Sequence, residues 1–576
     1  MNTFNLDARR KDILAAQGHL VIEGGPGCGK TTIALLKAAQ CAKTILDEQR
    51  ILFLSFSRAA VRQITERTQG TLTSAERSAI EVRTFHAFFL DVVRSHGRLL
   101  TGSQARFITP ERESLLRADF EGDADAWAAE RRRMAAEDSL YVFDTLAPTV
   151  ADLLERSAHV RNLYSSRYPV VVVDEFQDTS LDQWRAIRAL SPNSTIICLA
   201  DPDQRIFEHL EGVDEHRLTE AKAVLHPQTF DLSSDNHRSP SSGLLDYANA
   251  VLRNLPAAYP PNVRYHTYAN WDRPELVAQI YARRVLAWLA KDVGPAATLA
   301  VLTPANKFAV QVSEAFTTAN TFKDQELSPV DHTLFWDLQL ASAAALVVAS
   351  ILEWPTKDAD EAVVDTLRGL ADYYRVKTGL GTIGARAKIQ TLDNAIAAIR
   401  ASKPPKSKTA KLLVAAALTP PPLEGRPVQD WQIARKALAG SDELAEIDKR
   451  ARQIRLLHAT DTVAWALTDS WNGQDGYVKA VDAVRTALAV EAVNAQQSND
   501  ARVHVMTMHK SKGKEYDAVI IVEPRYGKAL LRADSDAKDQ EADRRVLRVA
   551  ITRARHLVVI ARPTGVPPLT PPLVSV

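Results

Sequence analysis

The chain has 576 residues, 46% of them hydrophobic and 24% charged, the composition of a folded globular protein too long for one ordinary domain; roughly three to five domains are expected. Its 71 basic residues face 70 acidic ones, a formal net charge of +1, which excludes a nucleic-acid reading founded on global charge; any such case has to rest on local sites. Cys28, Cys41 and Cys198 are too few and too scattered for a disulfide framework or a four-thiolate metal cluster, as fits a reducing, cytoplasmic setting.

In chain order, the N-terminus lacks the apolar core of a secretory signal. A strand is expected at His19 to Glu23, a helix from Thr32 to about Leu46 and a second strand at Ile51 to Ser55. A charged, helical stretch from Phe107 to Glu137 interrupts this alternation, which resumes with strands at Pro169 to Asp174 and Ser194 to Ala200. A later set of strands is expected at Thr298 to Leu302, Val503 to Thr507, Ala518 to Val522 and His556 to Ile560. Between the sets, Phe335 to Asn499 is Ala/Leu-rich and reads as an all-helical insertion. Within it, the uncharged run Leu340 to Leu352 falls short of the roughly 20 residues needed to cross a bilayer and reads as a buried helix, so no membrane is expected. Ser402 to Lys411 and Thr419 to Pro427 read as exposed loops in preference to a basic DNA contact. Strands alternating with helices predict an α/β fold with parallel sheets and flanking helices.

Gly24, Gly25, Pro26, Gly27, Cys28, Gly29, Lys30 and Thr31 fit the P-loop pattern, with a strand before and a helix, starting near Thr32, after. Glycines let successive backbone N–H groups face a polyphosphate at a helix N-terminus, while Lys30 reaches the outer phosphates and Thr31 ligates magnesium. The valine run Val170 to Val173 ends in Asp174 and Glu175. Neighbouring strand residues point to opposite sides, so Asp174 can hold the metal while Glu175 orients or deprotonates the attacking water.

Val173 to Ser180, with its Asp-Glu-x-Gln-Asp core, resembles the second motif of the UvrD/Rep branch of superfamily 1 helicases. Other segments resemble further motifs of that family in its order: Phe53 to Ala60, Thr84 to Phe88, Asp201 to Phe207, Asn236 to Ser239, Met506 to Tyr516, and Glu541 to Arg555. The resemblance implies two RecA-like lobes, 1A over 1–106 and 138–230 and 2A over 231–334 and 500–576, with helical insertions 1B at 107–137 and 2B at 335–499. It implies ATP with Mg2+ as substrate, bound between the lobes, and it makes Gln204, Arg238 and Arg553 phosphate-contacting partners of Glu175. Glu515 joins the nucleotide site by the same resemblance. So do Arg10, at the place of the family's adenine-reading glutamine, and His237, at that of its base-stacking tyrosine.

For DNA, the resemblance points to Phe56, Arg58, Thr84, Phe85, His86, Phe207, His209 and His509. Phe56, Phe85 and Phe207 can each stack on a base, typically worth about 1 to 3 kcal/mol. The implied activity is ATP-driven, 3′ to 5′ movement on single-stranded DNA or on a duplex with a 3′ single-stranded tail. Two other functions compete: the motor of a phage-defence pair of the Gabija kind beside a separate nuclease, and a nucleotide or DNA-end sensor with little unwinding. With 23 residues after Arg553, no appended nuclease domain is expected.

Overall fold

The computed structural model describes residues 6–108, 112–113, 116–117, 120, 122–206, 212–233, 235, 243–334, 338–379, 385–455, 459–494, 501–532 and 535–572. They form two compact units, Met1–Leu100 with Leu146–Trp336 and Asn499–Val576, and Thr101–Thr145 with Asp337–Ser498.

The first unit contains two six-stranded sheets. In lobe 1 the strands are β1 Leu20–Glu23, β2 Ile51–Ser55, β3 Ile80–Thr84, β4 Val170–Val173, β5 Thr195–Ala200 and β6 Gln228–Asp231, ordered β3-β2-β4-β5-β1-β6. Every pairing is parallel. Parallel strands need crossovers that cover both faces, which is why the central runs, such as the four consecutive valines of β4, are buried throughout. In lobe 2, β7 Val263–Tyr268, β8 Leu299–Thr303, β9 Thr333–Leu334, β10 Val503–Thr507, β11 Tyr516–Val522 and β12 Ala554–Pro563 are ordered β9-β10-β8-β11-β12-β7, again all parallel. The mixed α/β expectation is met in both lobes. Strands β3, β6, β7 and β9 are additions to it, and each is an edge strand.

The helices that position functional groups are α1 Ala8–Ala15, α2 Lys30–Cys41, α3 Arg58–Thr71, α4 Phe85–His96, α5 Leu244–Arg253 and α6 Ala537–Ile551. Helices α1, α3, α4 and α6 are opened by the side chains of Asp7, Ser57, Thr84 and Asp536, each accepting a hydrogen bond from a backbone N–H in the first turn.

The second unit is mainly helical. The apolar helix Leu338–Leu352 packs against Ala359–Gly379, Asp442–Arg455 and Ala480–Asn494. Its stretch from Leu340 onward is nearly all buried, as the sequence predicts for a core helix. The interruption is not purely helical: Arg106–Phe107 and Leu140–Tyr141 pair as short parallel strands around the helix Ala124–Glu137. Lys403 and Lys406 are exposed, in keeping with a solvated loop, but the loop ends at Ser407: Lys408–Ala417 is a helix capped by the Ser407 side chain, with Thr409 and Ala410 buried. The loop before Pro427 is instead pinned by buried Asp430, which accepts from the Glu424 N–H at 3.0 Å, the Arg426 N–H at 2.9 Å and the Tyr477 hydroxyl at 2.7 Å. Among the described residues, no helix is long and apolar enough to cross a membrane.

Candidate functional site

Strand order alone assembles the lobe 1 side of the site. Strands β4, β5 and β1 are neighbours in register, with Val173 beside Cys198 and Glu23 beside Ala200. Their C-terminal ends therefore place Asp174-Glu175, Asp201 to Gln204 and Gly24 to Lys30 along one edge, where open α/β sheets bind ligands. The loop leaves β1 with the Gly24 N–H donating to the Ala200 carbonyl at 3.1 Å. A Cβ on Gly24 would stand 2.6 Å from Cys28 Sγ and 3.1 Å from the Leu232 backbone, so no larger residue fits. Gly29 opens α2 at φ 90°, a left-handed conformation suited to glycine, and the helix N-terminus then faces the loop. Lys30 Nζ lies inside that loop, donating to the carbonyls of Gly24 and Gly25. Thr31 and Thr32, in the first turn of α2, are half-buried.

Glu175 follows β4 in a left-handed conformation, φ 54°, an uncommon backbone state for a non-glycine residue that turns it away from the strand direction. Its Oε2 accepts from Gln177 Nε2 at 2.6 Å, and Gln177 Oε1 accepts from the Asp201 N–H at 3.0 Å. Asp201 Oδ2 in turn accepts from Gln204 Nε2 at 2.6 Å, so one chain of hydrogen bonds joins the ends of β4 and β5.

Lobe 2 closes this network with cations. Lys512 is buried and donates to Asp178 and, at 2.5 Å, to the Gln204 carbonyl, with Glu175 Oε2 at 3.3 Å. Arg553 is buried after α6 and donates through Nη2 to Gln204 Oε1 at 2.9 Å. Gln204 is thereby held by Asp201 from its own lobe and by Arg553 from the other.

Burial raises Asp174, and the neighbouring Glu175 carboxylate pushes it further the same way, with Lys30 opposing. Burial would raise Glu175 as well, but Lys512, Lys30 and Arg553 outweigh it and hold this carboxyl below its ordinary range. The pair is thus driven apart, Asp174 upward and Glu175 downward. That donor set fits magnesium, which binds one or two carboxylates together with substrate phosphates. Thr31 and Asp174 would hold it, and it would neutralise phosphate charge. Among the described residues, no group of three or more His, Cys, Asp or Glu side chains is placed to hold a metal ion.

Several sequence candidates have structural partners within the protein. The Arg10 guanidinium bonds the Cys28 carbonyl at 2.7 Å and Asp235 at 2.8 Å, which braces the P-loop from α1. Glu515 pairs with Arg67 of lobe 1 at 2.8 Å and with Arg555 at 3.1 Å. Phe85 is a correction: at 1% exposure it is a core ring, packed 5.0 Å from Phe56 and 5.6 Å from Phe89, and has no free face for a base. Thr84 spends its hydroxyl on the cap of α4, donated by the Ala87 N–H at 3.1 Å. Phe56 and His509 are half-buried and His86 is exposed. Phe207, His209, His237 and Arg238 lie outside the described residues, as does the side chain of Arg58.

Sequence reasoning assigned no role to Lys512, Asp178, Gln177 or Arg548. All four lie inside quoted motifs, so their presence was visible, but the contacts they make were not.

Two parallel α/β lobes, a P-loop on one and a buried arginine on the other that bonds Gln204 of the first, define a two-lobe P-loop nucleotide-binding protein. Residues 10–209 match the family described as AAA domain, and residues 462–562 match the UvrD-like helicase C-terminal domain. The putative ATP-dependent DNA helicase YjcD of Bacillus subtilis is 20% identical over 637 residues, covering 96% of this chain and 78% of the relative. The ATP-dependent DNA helicase PcrA of Staphylococcus aureus strain Mu50 is 24% identical over 304 residues, 44% of this chain and 40% of PcrA. The PcrA of Leuconostoc citreum is 24% identical over 290 residues, 42% and 38% respectively. The aligned part of this chain spans about 40% of the length of the first PcrA relative. Together these matches support a UvrD/Rep-like, superfamily 1 assignment for the chain.

Proposed function

We propose that this chain is an ATP-driven DNA motor that moves 3′ to 5′ on single-stranded DNA and separates strands from a 3′ single-stranded tail. The observation that carries the reading is the Glu175–Gln177–Asp201–Gln204–Arg553 network, which ties the attacking-water carboxylate of lobe 1 to an arginine of lobe 2. In hydrolysis a bond forms between water oxygen and the terminal phosphorus while the bond to the bridging oxygen breaks. Glu175 takes the proton from water, and the charge gained by the departing diphosphate faces Lys30 and Arg553. Cations delivered from a second lobe are worth about a thousandfold or more in such transfers. Because they engage only when the lobes meet, each nucleotide cycle becomes an opening and closing that advances a bound strand.

In this reading residues 107–137 and 335–499 are the insertions 1B and 2B, and His86, Phe56 and His509 face the strand. The relatives' names, which specify ATP-dependent DNA helicases, support the substrate, and resemblance alone supports the direction. The test is ATP hydrolysis with and without single-stranded DNA, wild type against Glu175→Gln, with CTP and GTP alongside and 3′- or 5′-tailed duplexes for direction. DNA-stimulated hydrolysis abolished in Glu175→Gln is expected; hydrolysis indifferent to DNA would sink the motor.

A further inference from the structure

Arg548, near the end of α6, is a second lobe 2 arginine at the site, with its side chain 3% exposed. Its Nε donates to Asn249 Oδ1 of α5 at 2.9 Å, which anchors the group in lobe 2. The guanidinium meets lobe 1 at long range: Nη1 is 3.5 Å from Asp201 Oδ2 and Nη2 is 3.6 Å from Asp203 Oδ2. Charge-assisted hydrogen bonds are shorter, about 2.7–2.9 Å. Nη1 is closed to solvent and makes no hydrogen bond among the described residues. A Cβ built on Gly25 would stand 4.0 Å from Nη2, so this buried cation borders the P-loop itself.

A buried guanidinium with unspent N–H groups is costly unless an anion completes its surroundings. The two aspartates supply charge but not hydrogen-bond geometry, and the acid beside Nη1 is the one that holds Gln204. We propose that Arg548 is a phosphate-directed arginine that takes an oxygen of the terminal phosphate and so makes the site distinguish a nucleoside triphosphate from a diphosphate. This rests on the ATP-site reading above and adds to it a residue that works beside Arg553. With a diphosphate, the Nη groups of Arg548 keep only the long contacts to Asp201 and Asp203.

The test compares Arg548→Met and Arg548→Lys with wild type, titrating a non-hydrolysable ATP analogue and ADP, each with magnesium, by calorimetry, and measuring kcat and KM with single-stranded DNA. In Arg548→Met, affinity for the triphosphate analogue falls about ten- to a hundredfold, the value of a hydrogen bond to a charged group, while ADP affinity stays unchanged. The kcat falls with it, Arg548→Lys is intermediate, and added guanidinium restores part of the lost rate. Equal weakening of both nucleotides, or no change in their ratio, overturns the proposal. Should Arg548→Met fail to fold by thermal melting, the ratio in Arg548→Lys decides on the same terms. A wild type that binds both nucleotides but ignores DNA sinks the motor and leaves this ratio to be read; a DNA-stimulated wild type whose ratio survives in Arg548→Met does the reverse.

Discussion

The two lobes share one plan, a six-stranded parallel sheet covered by helices, yet they supply opposite halves of the site. Lobe 1 brings a glycine loop and carboxylates on three adjacent strand ends, held by bonds within that lobe. Lobe 2 brings cations, Lys512, Arg548 and Arg553, whose phosphate-side partners belong to the other lobe. A phosphate cradle can be assembled by one sheet edge, whereas charge stabilisation that depends on a second body can be switched by closure.

The sharpest way to break this division is Arg553→Ala. Hydrolysis should fall by about a thousandfold or more. ATP binding through Lys30 should persist, as fluorescence titration of the variant would check. A comparable loss of binding would place Arg553 in the cradle and erase the distinction.

Lys512→Met tests the link between the lobes. It leaves Asp178, 2% exposed, and Glu175 without their shared cation, and removing one partner of a buried pair costs about 3–5 kcal/mol. Denaturant unfolding should show that loss, and Lys512→Met combined with Asp178→Asn should recover part of it.

Within lobe 1, Phe85→Ala and Phe56→Ala should separate core from surface. Phe85→Ala is expected to destabilise by about 3–5 kcal/mol. Phe56→Ala should cost about 1 to 3 kcal/mol of DNA affinity in an anisotropy titration, with the smaller stability loss.

Within lobe 2, Lys514 is pushed down to about 7 by burial, with Lys510 adding to the effect. A lysine whose folded value is depressed destabilises the fold below its unfolded value. Lys514→Met should therefore stabilise the protein by about 1–3 kcal/mol near and below pH 7. The gain fades as pH rises toward 10.5, where the unfolded lysine also loses its proton. Melting curves from pH 6 to 10 would check the sign; a gain that grows with pH would refute it.

The central strands were legible because strands buried on both faces are continuous runs of Val, Ile and Leu. The four strands that were not, β3, β6, β7 and β9, are all sheet edges, where exposure admits polar residues: β3 reads Ile80-Glu81-Val82-Arg83-Thr84, and β6 is mostly exposed. The P-loop and Asp174-Glu175 were legible for a related reason, since each is a local segment whose chemistry follows from its own neighbours. Phe85 was misjudged because motif position does not report burial, and a ring at the first turn of α4 packs inward against Phe56 and Phe89.

By itself, then, the sequence determined the parallel α/β plan, the phosphate loop, the two acids at the end of β4 and the family resemblance, each written in short local segments. Only the tertiary structure decided which side chains meet across the lobes: Lys512 with Asp178, Arg553 with Gln204, Arg67 with Glu515, and Arg548 beside Asp201 and the P-loop. These partners lie hundreds of residues apart, and no local pattern encodes a contact that exists only once two separately folded sheets are brought face to face.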